Sequence, residues 1–371
     1  MKVGIIGAGQ LARMMAMAAY PLGITCHCSA NSTTDSAAGV SQLHTIDLCD
    51  DNNLKAFINN VDVITFENEN VASTLLDKIA LYAKQTQTAV YPNVKTIKII
   101  QDRLLEKTTV NQLGIATTKF KAVNNLSELQ QAINSVKLPC ILKTRFLGYD
   151  GKGQYFIKTA QDAEKVWQLL MSAVDSPDEQ HTCIVEQFVD FDYEVSMIST
   201  RGADGETVYY PLTRNTHRDG ILRQSEAGIH LHSNLQQQAE RYADELLTYF
   251  DYVGTLAIEF FVKSETLYVN ELAPRVHNSG HWTIEGAATS QFENHIRAIL
   301  RLPLGSTHTE RPAIMLNCIG NMPPLNDILD LPDAHYHTYD KSPRPRRKLG
   351  HVTVVNPDKH VLIKLQQLVD G

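Results

Sequence analysis

Short apolar runs alternate with segments of helical period at the start of the chain. Val3 to Ile6 reads as a strand, Gly7-Ala-Gly9 as a tight turn, and Gln10 to Tyr20 as a helix that Pro21 and Gly23 end. Ile24 to Cys28 then reads as a strand, Leu54 to Asn59 as a helix, Val61 to Phe66 as a strand, Val71 to Lys84 as a helix and Ala89 to Tyr91 as extended chain. This order predicts a small parallel α/β domain with helices on both faces of its sheet.

A single helix from Thr96 to Leu113, closed by Gly114, is expected to lead into a second region. There the alternation is lost. Ser127 is read as the cap of a helix carrying Leu129 and Ile133, and Asp162 to Val174 and Leu235 to Asp251 are read as further helices. Tyr193 to Thr200 pairs with Thr207 to Tyr210, and Thr255 to Val262 with Thr266 to Leu272, across turns at Gly202 to Gly205 and Lys263 to Glu265. After Pro303 come strands Ala313 to Ile319 and Arg347 to Val355 and a closing helix Asp358 to Val369. Three domains are expected, over 1–98, 99–302 and 303–371, the first α/β and the second α+β.

Composition removes several classes of function. A formal net charge of -7 argues against a nucleic-acid partner. No apolar run approaches the roughly 20 residues that cross a bilayer, and the first residues lack the form of a signal peptide. Six scattered cysteines are too few for a disulfide scaffold, so a reducing cytoplasm is expected. Cys26-His27-Cys28 reads as two cysteines on one face of a buried strand rather than as a metal site.

The candidate chemistry lies in the middle of the chain. Lys143, on the strand Cys140 to Thr144, can neutralise phosphate charge, and the loop Gly148-Tyr149-Asp150-Gly151-Lys152-Gly153-Gln154 can bring backbone N–H groups against phosphate oxygens. It is not a Walker A motif, because no Ser or Thr follows a Gly-Lys. Asp150 would repel a phosphate and is expected to face an amine or another donor. Ile184 to Val189 reads as a strand running into an exposed polar pair, Glu186 and Gln187, whose backbone could read an adenine edge, with Glu194 accepting from ribose hydroxyls. Glu259 and Glu271 should face each other on adjacent antiparallel strands, with Asn270 beside them, an arrangement that calls for a cation between the carboxylates. Arg275 to Thr283 is rich in donors, and Lys341 to Lys348 gathers five positive charges as a phosphate clamp or a solvated turn. Gly7 to Ala12 fits G-x-G-x-x-A, but the second strand ends in Asn31 with no acid. That turn could hold another phosphate or small ligand, or be structural.

Together Lys143, Gly148 to Gln154, Glu186-Gln187, Glu194, Glu259, Asn270-Glu271 and Pro274 to Trp282 resemble the ATP-grasp superfamily. Within it the chain is most similar to the 5-(carboxyamino)imidazole ribonucleotide synthases of purine biosynthesis. Gly7 to Met14, Phe66-Glu-Asn-Glu-Asn70 and Lys348 to Thr353 match the same family, so the resemblance covers nearly the whole chain. It implies a Rossmann-like pre-ATP-grasp domain, a central ATP-grasp domain and a small C-terminal domain. It implies a ligase that uses ATP as co-substrate, bicarbonate and aminoimidazole ribonucleotide, with magnesium or alternatively manganese, as a cytoplasmic homodimer. By motif, ATP would meet Arg103, Lys143, Gly148 to Gln154, Glu186, Gln187, Phe188, Val189, Glu194, His217, Asn270 and Glu271. Glu259 and Glu271 would hold the metal. Gln10, Asp150, Arg275, Asn278, Ser279, Lys341, Arg347 and Lys348 would meet the ribonucleotide. Asp150, Lys143 and Arg275 would serve catalysis. The chain departs from the family at Tyr193, where Arg is common, and at Arg214, where an acid is common.

Three rival readings stand beside this one. Another ATP-grasp ligase, such as a formate-using formyltransferase or a biotin carboxylase, is opposed by the Asn278 to Thr283 loop and the basic C-terminal run. A nicotinamide oxidoreductase is opposed by the missing acid. A nucleotide-binding regulator without turnover is opposed by the intact Lys143, Glu259 and Glu271 set.

Overall fold

The computed structural model describes residues 1–146, 153–172, 183–229 and 231–370. The chain opens with β1 (Lys2–Ile6), α1 (Gln10–Ala19), β2 (Thr25–Ala30), β3 (Gln42–Thr45), α2 (Asp51–Asn59), β4 (Val63–Phe66), α3 (Ser73–Thr86) and β5 (Ala89–Val90). These strands form one parallel sheet in the order β3-β2-β1-β4-β5. Alternation along β1 sends its side chains to opposite faces. Val3 and Ile5 pack against α1 through Leu11, Met14 and Met15. Ile6 packs with Leu54, Phe57 and Ile79 of α2 and α3.

Thr96 to Leu113 is not one helix. It is α4 (Val94–Ile100) and α5 (Arg103–Gln112). Asp102 causes the break: its carboxylate accepts from Leu104 N at 3.0 Å as the cap of α5 and from Arg145 Nε at 2.9 Å. A continuous helix would forfeit both contacts.

A four-stranded sheet follows, in the order β6-β9-β7-β8, from β6 (Phe120–Val123), β7 (Cys140–Thr144), β8 (Gln154–Ile157) and β9 (Cys183–Gln187). It is backed by α6 (Leu126–Val136) and α7 (Asp162–Ser172). The cap of α6 is Asn125 rather than Ser127, since the Asn125 side chain accepts from Glu128 N at 2.9 Å.

The third sheet has nine strands: β10 (Tyr193–Arg201), β11 (Thr207–Tyr209), β12 (Thr213–Arg218), β13 (Ile221–Ala227), β14 (Gly254–Lys263), β15 (Thr266–Ala273), β16 (Ala313–Ile319), β17 (Ala334–Thr338) and β18 (Lys348–Val355). Helices α8 (Ser233–Tyr249), α9 (Thr283–Gly286), α10 (Gln291–Ile299), α11 (Leu325–Leu329) and α12 (Lys359–Asp370) complete the chain. The strands after Pro303 join the same sheet, through the antiparallel pairing of β13 with β16. The β12–β13 hairpin was not expected. Its polar alternation hides it, although Asp219-Gly220, with φ of 54° and 72°, is a strong tight-turn signal.

Candidate active site

Strands β14 and β15 are joined by a tight turn in which Ser264 and Glu265 have φ of 48° and 59°. The turn sets the register, and Glu259 lies opposite Glu271. One step further Phe260 lies opposite Val269, so Asn270 is the extra residue of a β-bulge. Burial, and then the Glu271 charge, push the Glu259 carboxyl up to about 7. His217 works against that rise. Burial would lower its pKa, but the hydrogen bond to Glu194 and the Glu259 charge raise it to about 9. His217 Nδ1 donates to Glu194 Oε2 at 2.8 Å, on neighbouring strands in which Glu194 pairs with Asn215. His277 Nε2 approaches Glu259 Oε1 at 3.7 Å.

Lys143 lies mid-way between β8 and β9, opposite Gln154 and Ile184. Its Nζ is 3.0 Å from Glu186 Oε1. Glu186 Oε2 meets Lys107 Nζ at 3.2 Å and accepts from Thr118 Oγ1 at 3.0 Å. Glu186 is therefore not an exposed strand end: it is 2 % exposed, and Lys107 1 %. Two ammonium groups compensate a charge that could not otherwise be buried. Burial pushes the Glu186 carboxyl up, but Lys107 and Lys143 together hold it down at about 2. Beyond it the Gln187 amide donates to Lys119 O at 2.8 Å and the Phe188 amide to Pro139 O at 3.1 Å.

A cavity of about 490 Å³ opens beside these groups, with Gln10, Arg103, Glu271, Arg275, Asn278 and Lys348 on its wall. Arg275 is fixed across it by Glu69, which accepts from Nε at 2.5 Å and from Nη2 at 3.1 Å. Burial would raise the Glu69 carboxyl, but Arg275 holds it below its usual value. Arg103 Nη1 donates to Thr144 O at 2.8 Å, tying the cavity wall to the end of β7. Asn278 and Asn317 form a reciprocal amide pair at 2.9 and 2.7 Å. Ser279 is buried, its hydroxyl 2.9 Å from His277 Nδ1. The basic run divides. Lys348 reaches the cavity, Lys341 Nζ donates to Gln10 Oε1, and Arg347 Nη1 donates to Ser342 O at 3.0 Å. Gly148, Tyr149, Asp150, Gly151 and Lys152 lie outside the described residues, whereas Gly153, with φ of 68°, accepts from Thr144 N at its carbonyl.

The first glycine turn proves to hold a side chain. Glu67 accepts from Gly9 N at 2.6 Å and Leu11 N at 3.3 Å, at the start of α1. A Cβ on Gly9 would lie 2.2 Å from Glu67 Oε1. The carboxylate occupies the position a dinucleotide phosphate would need, which removes the nicotinamide reading. Sequence reading overlooked Lys107 and Glu106, and gave Glu67 no role beyond its place in the Phe66 to Asn70 match. Glu106 is buried, accepts from Leu272 N at 2.5 Å, and is pushed by burial to about 8.

Comparison with known proteins agrees with this arrangement. Residues 1–101 match the ribonucleotide synthetase preATP-grasp domain, residues 108–292 the ATP-grasp domain, and residues 313–364 the phosphoribosylaminoimidazole carboxylase C-terminal domain. The N5-carboxyaminoimidazole ribonucleotide synthase of Pseudomonas aeruginosa is 42% identical over 362 residues, covering 98% of this chain and 96% of that protein. The crystal structure of the Thermus thermophilus synthetase superimposes with a TM-score of 0.90 at 40% identity, covering 100% of this chain and 99% of that one. That of the Aspergillus clavatus synthase, in complex with ADP and 5-aminoimidazole ribonucleotide, gives 0.84 at 28% identity, covering 100% and 97%.

Proposed function

We propose residue roles from one premise: the chain belongs to the N5-carboxyaminoimidazole ribonucleotide synthases, ATP-grasp ligases of purine biosynthesis. It carries out the ATP-dependent carboxylation of 5-aminoimidazole ribonucleotide to N5-carboxyaminoimidazole ribonucleotide. The observation that carries the assignment of roles is the opposed pair Glu259 and Glu271, set at the edge of a cavity lined from all three matched segments.

ATP lies between the four-stranded sheet and β14–β15 in this reading. Lys143 and Arg103 meet its phosphates, and Gly148 to Gln154 are assigned to the same phosphates. With the Gln187 and Phe188 amides already paired, the Phe188 carbonyl and the Val189 backbone are assigned to the base. Glu194, held by His217, accepts from ribose hydroxyls. The metal would be held by Glu259 and Glu271, with Asn270 beside them. The fit rests on two half-buried, facing carboxylates, one of them raised to about 7 by burial and then by the charge of the other. Magnesium bound there supplies charge neutralisation at the transferring phosphoryl group.

Bicarbonate is a poor electrophile, and its phosphorylation gives carboxyphosphate, an activated and short-lived species. The cavity keeps it from water while Lys143 offsets the charge that develops on phosphoryl oxygens. Arg275, immobilised by Glu69, is set to hold an anionic oxygen of the intermediate. Asp150 is assigned to the substrate amine, as acceptor or base. Gln10, Asn278, Ser279, Lys341, Arg347 and Lys348 serve the ribonucleotide, its phosphate at the lysines. The division at 1–98, 99–302 and 303–371 assigns one wall of the cavity to each part. Among the described residues no helix is long and apolar enough to cross a membrane; cytoplasmic residence and a homodimer are carried over from the family.

The test is phosphate release from MgATP with and without each partner. A rate that needs both the ribonucleotide and bicarbonate supports the reading. Formate replacing bicarbonate, or a rate indifferent to the ribonucleotide, overturns the substrate assignment.

A further inference from the structure

Lys107 lies on α5, carries no phosphate-binding motif, and is almost wholly buried. Its three contacts belong to different parts of the protein. Nζ meets Glu186 Oε2 at 3.2 Å on the four-stranded sheet. It donates to Asn270 O at 2.9 Å, at the bulge of the nine-stranded sheet, and to Thr117 Oγ1 at 3.2 Å. Thr117 Oγ1 donates in turn to Val269 O at 2.7 Å. The Ala116–Thr118 segment thus bridges the two sheets, and the Lys107 ammonium closes the bridge.

The charge count gives this contact a consequence. Glu186 sits between two ammonium groups with its carboxyl held down at about 2, so it is fully ionised. Lys143 with Glu186 alone would form a neutral buried pair. With Lys107 included the group carries a net charge of +1, and the less buried member, at 9 % side-chain exposure, is Lys143. In a low-dielectric interior that difference decides whether Lys143 presents charge to an anion or spends it on Glu186. We infer that Lys107 is a positioning residue of the carboxylation reaction: it neutralises Glu186 from behind, leaves the charge of Lys143 for the ATP phosphates, and ties that lysine to the strand bearing Glu271. This inference rests on the proposed contact of Lys143 with phosphate.

The experiment compares the Michaelis constant for ATP and kcat in Lys143→Met, Lys107→Met, Glu186→Gln and the double variant Lys107→Met/Glu186→Gln. Lys107→Met should raise the ATP constant about tenfold, more than it lowers kcat. The double variant, in which Lys143 again has no competing anion, should recover most of that loss. A purely structural Lys107 predicts instead that the ATP constant and kcat worsen together with folding stability and recover together, with no preferential effect on ATP. Should Lys107→Met fail to fold, Lys107→Gln keeps a donor for Asn270 O without the charge and carries the same comparison. An unchanged ATP constant in the Lys107 variants, with a raised one in Lys143→Met, overturns this inference alone. An unchanged constant in Lys143→Met overturns the phosphate role of Lys143 and this inference with it.

Discussion

The guanidinium of Arg214 lies over the ring of Tyr193, 5.0 Å from its centroid. These are the two positions that the family resemblance leads one to expect as Arg and an acid. The contact joins β10 to β12 beside Glu194 and its pairing with Asn215.

If the two positions are coupled, changing one alone should cost more than changing both. Tyr193→Arg places two guanidinium groups together and should lose about 1 kcal/mol, while Tyr193→Arg/Arg214→Asp should recover at least half. Urea unfolding of the four members of the cycle measures this. Additive losses would show that the two substitutions are independent.

Glu67 gives a second prediction. Its carboxylate fills the space above Gly9, so Gly9→Ala must push the Glu67 side chain off its hydrogen bonds to Gly9 N and Leu11 N. The expected loss is about 1–3 kcal/mol. Glu67→Ala empties the space, so adding Gly9→Ala to Glu67→Ala should cost almost nothing more. Thermal unfolding of the three variants is sufficient. A Gly9→Ala penalty that persists without Glu67 would place the constraint in the backbone instead.

Local order explains what could be read in advance. The Glu259–Glu271 pairing was legible because a tight turn between two alternating runs fixes register within a dozen residues. The alternation of β1 to β5 was legible for the same reason. The break at Asp102 was not, because the Arg145 that helps to hold it lies just past β7, 43 residues further along the chain. Glu186 looked exposed from its place at a strand end; only the approach of Lys107 from α5 makes it a buried ion. The glycine turn carried the pattern of a phosphate site, and what distinguishes it is a carboxylate from the far end of β4. In each miss a local signal was correct as to geometry, and a distant side chain decided the use.

Metal binding should depend on pH through Glu259. Raised in the fold, its carboxyl supports the folded state fully only below 4.5 and withdraws that support as pH climbs through about 7. A divalent cation needs the ionised form and must displace the proton. In the absence of substrates the apparent magnesium affinity should fall about tenfold for each pH unit below 7 and level off above it. Magnesium should also raise the unfolding temperature more at pH 8 than at pH 6. Calorimetric titration in buffers of different ionisation enthalpy reads the released proton directly. Glu259→Gln should bind more weakly and without the pH dependence. A wild-type affinity that is flat from pH 6 to 8 would place the metal elsewhere.

His295 joins the first sheet to the third. Its Nδ1 accepts from Thr255 N at 3.1 Å, which fixes the proton on Nε2, and that N–H donates to Thr65 Oγ1 at 2.9 Å. The ring is fully buried, and burial lowers its pKa to about 4. The neutral ring therefore stabilises the fold fully above the ordinary value of 6.5, and that contribution is lost as pH falls from 6.5 toward 4. Its size is on the order of 3 kcal/mol. His277, His281 and His351 are lowered by burial as well, so the whole protein should be acid-sensitive. The difference between wild type and His295→Gln isolates the one ring. Glutamine keeps an acceptor and a donor, but it does not titrate. The variant should be less stable at pH 7.5, and the gap should narrow steadily down to pH 4.5. Denaturant unfolding at five pH values measures the gap. A gap that stays constant would mean that the fold does not lower the His295 pKa, and that the Thr65–His295–Thr255 bridge does not depend on a neutral ring.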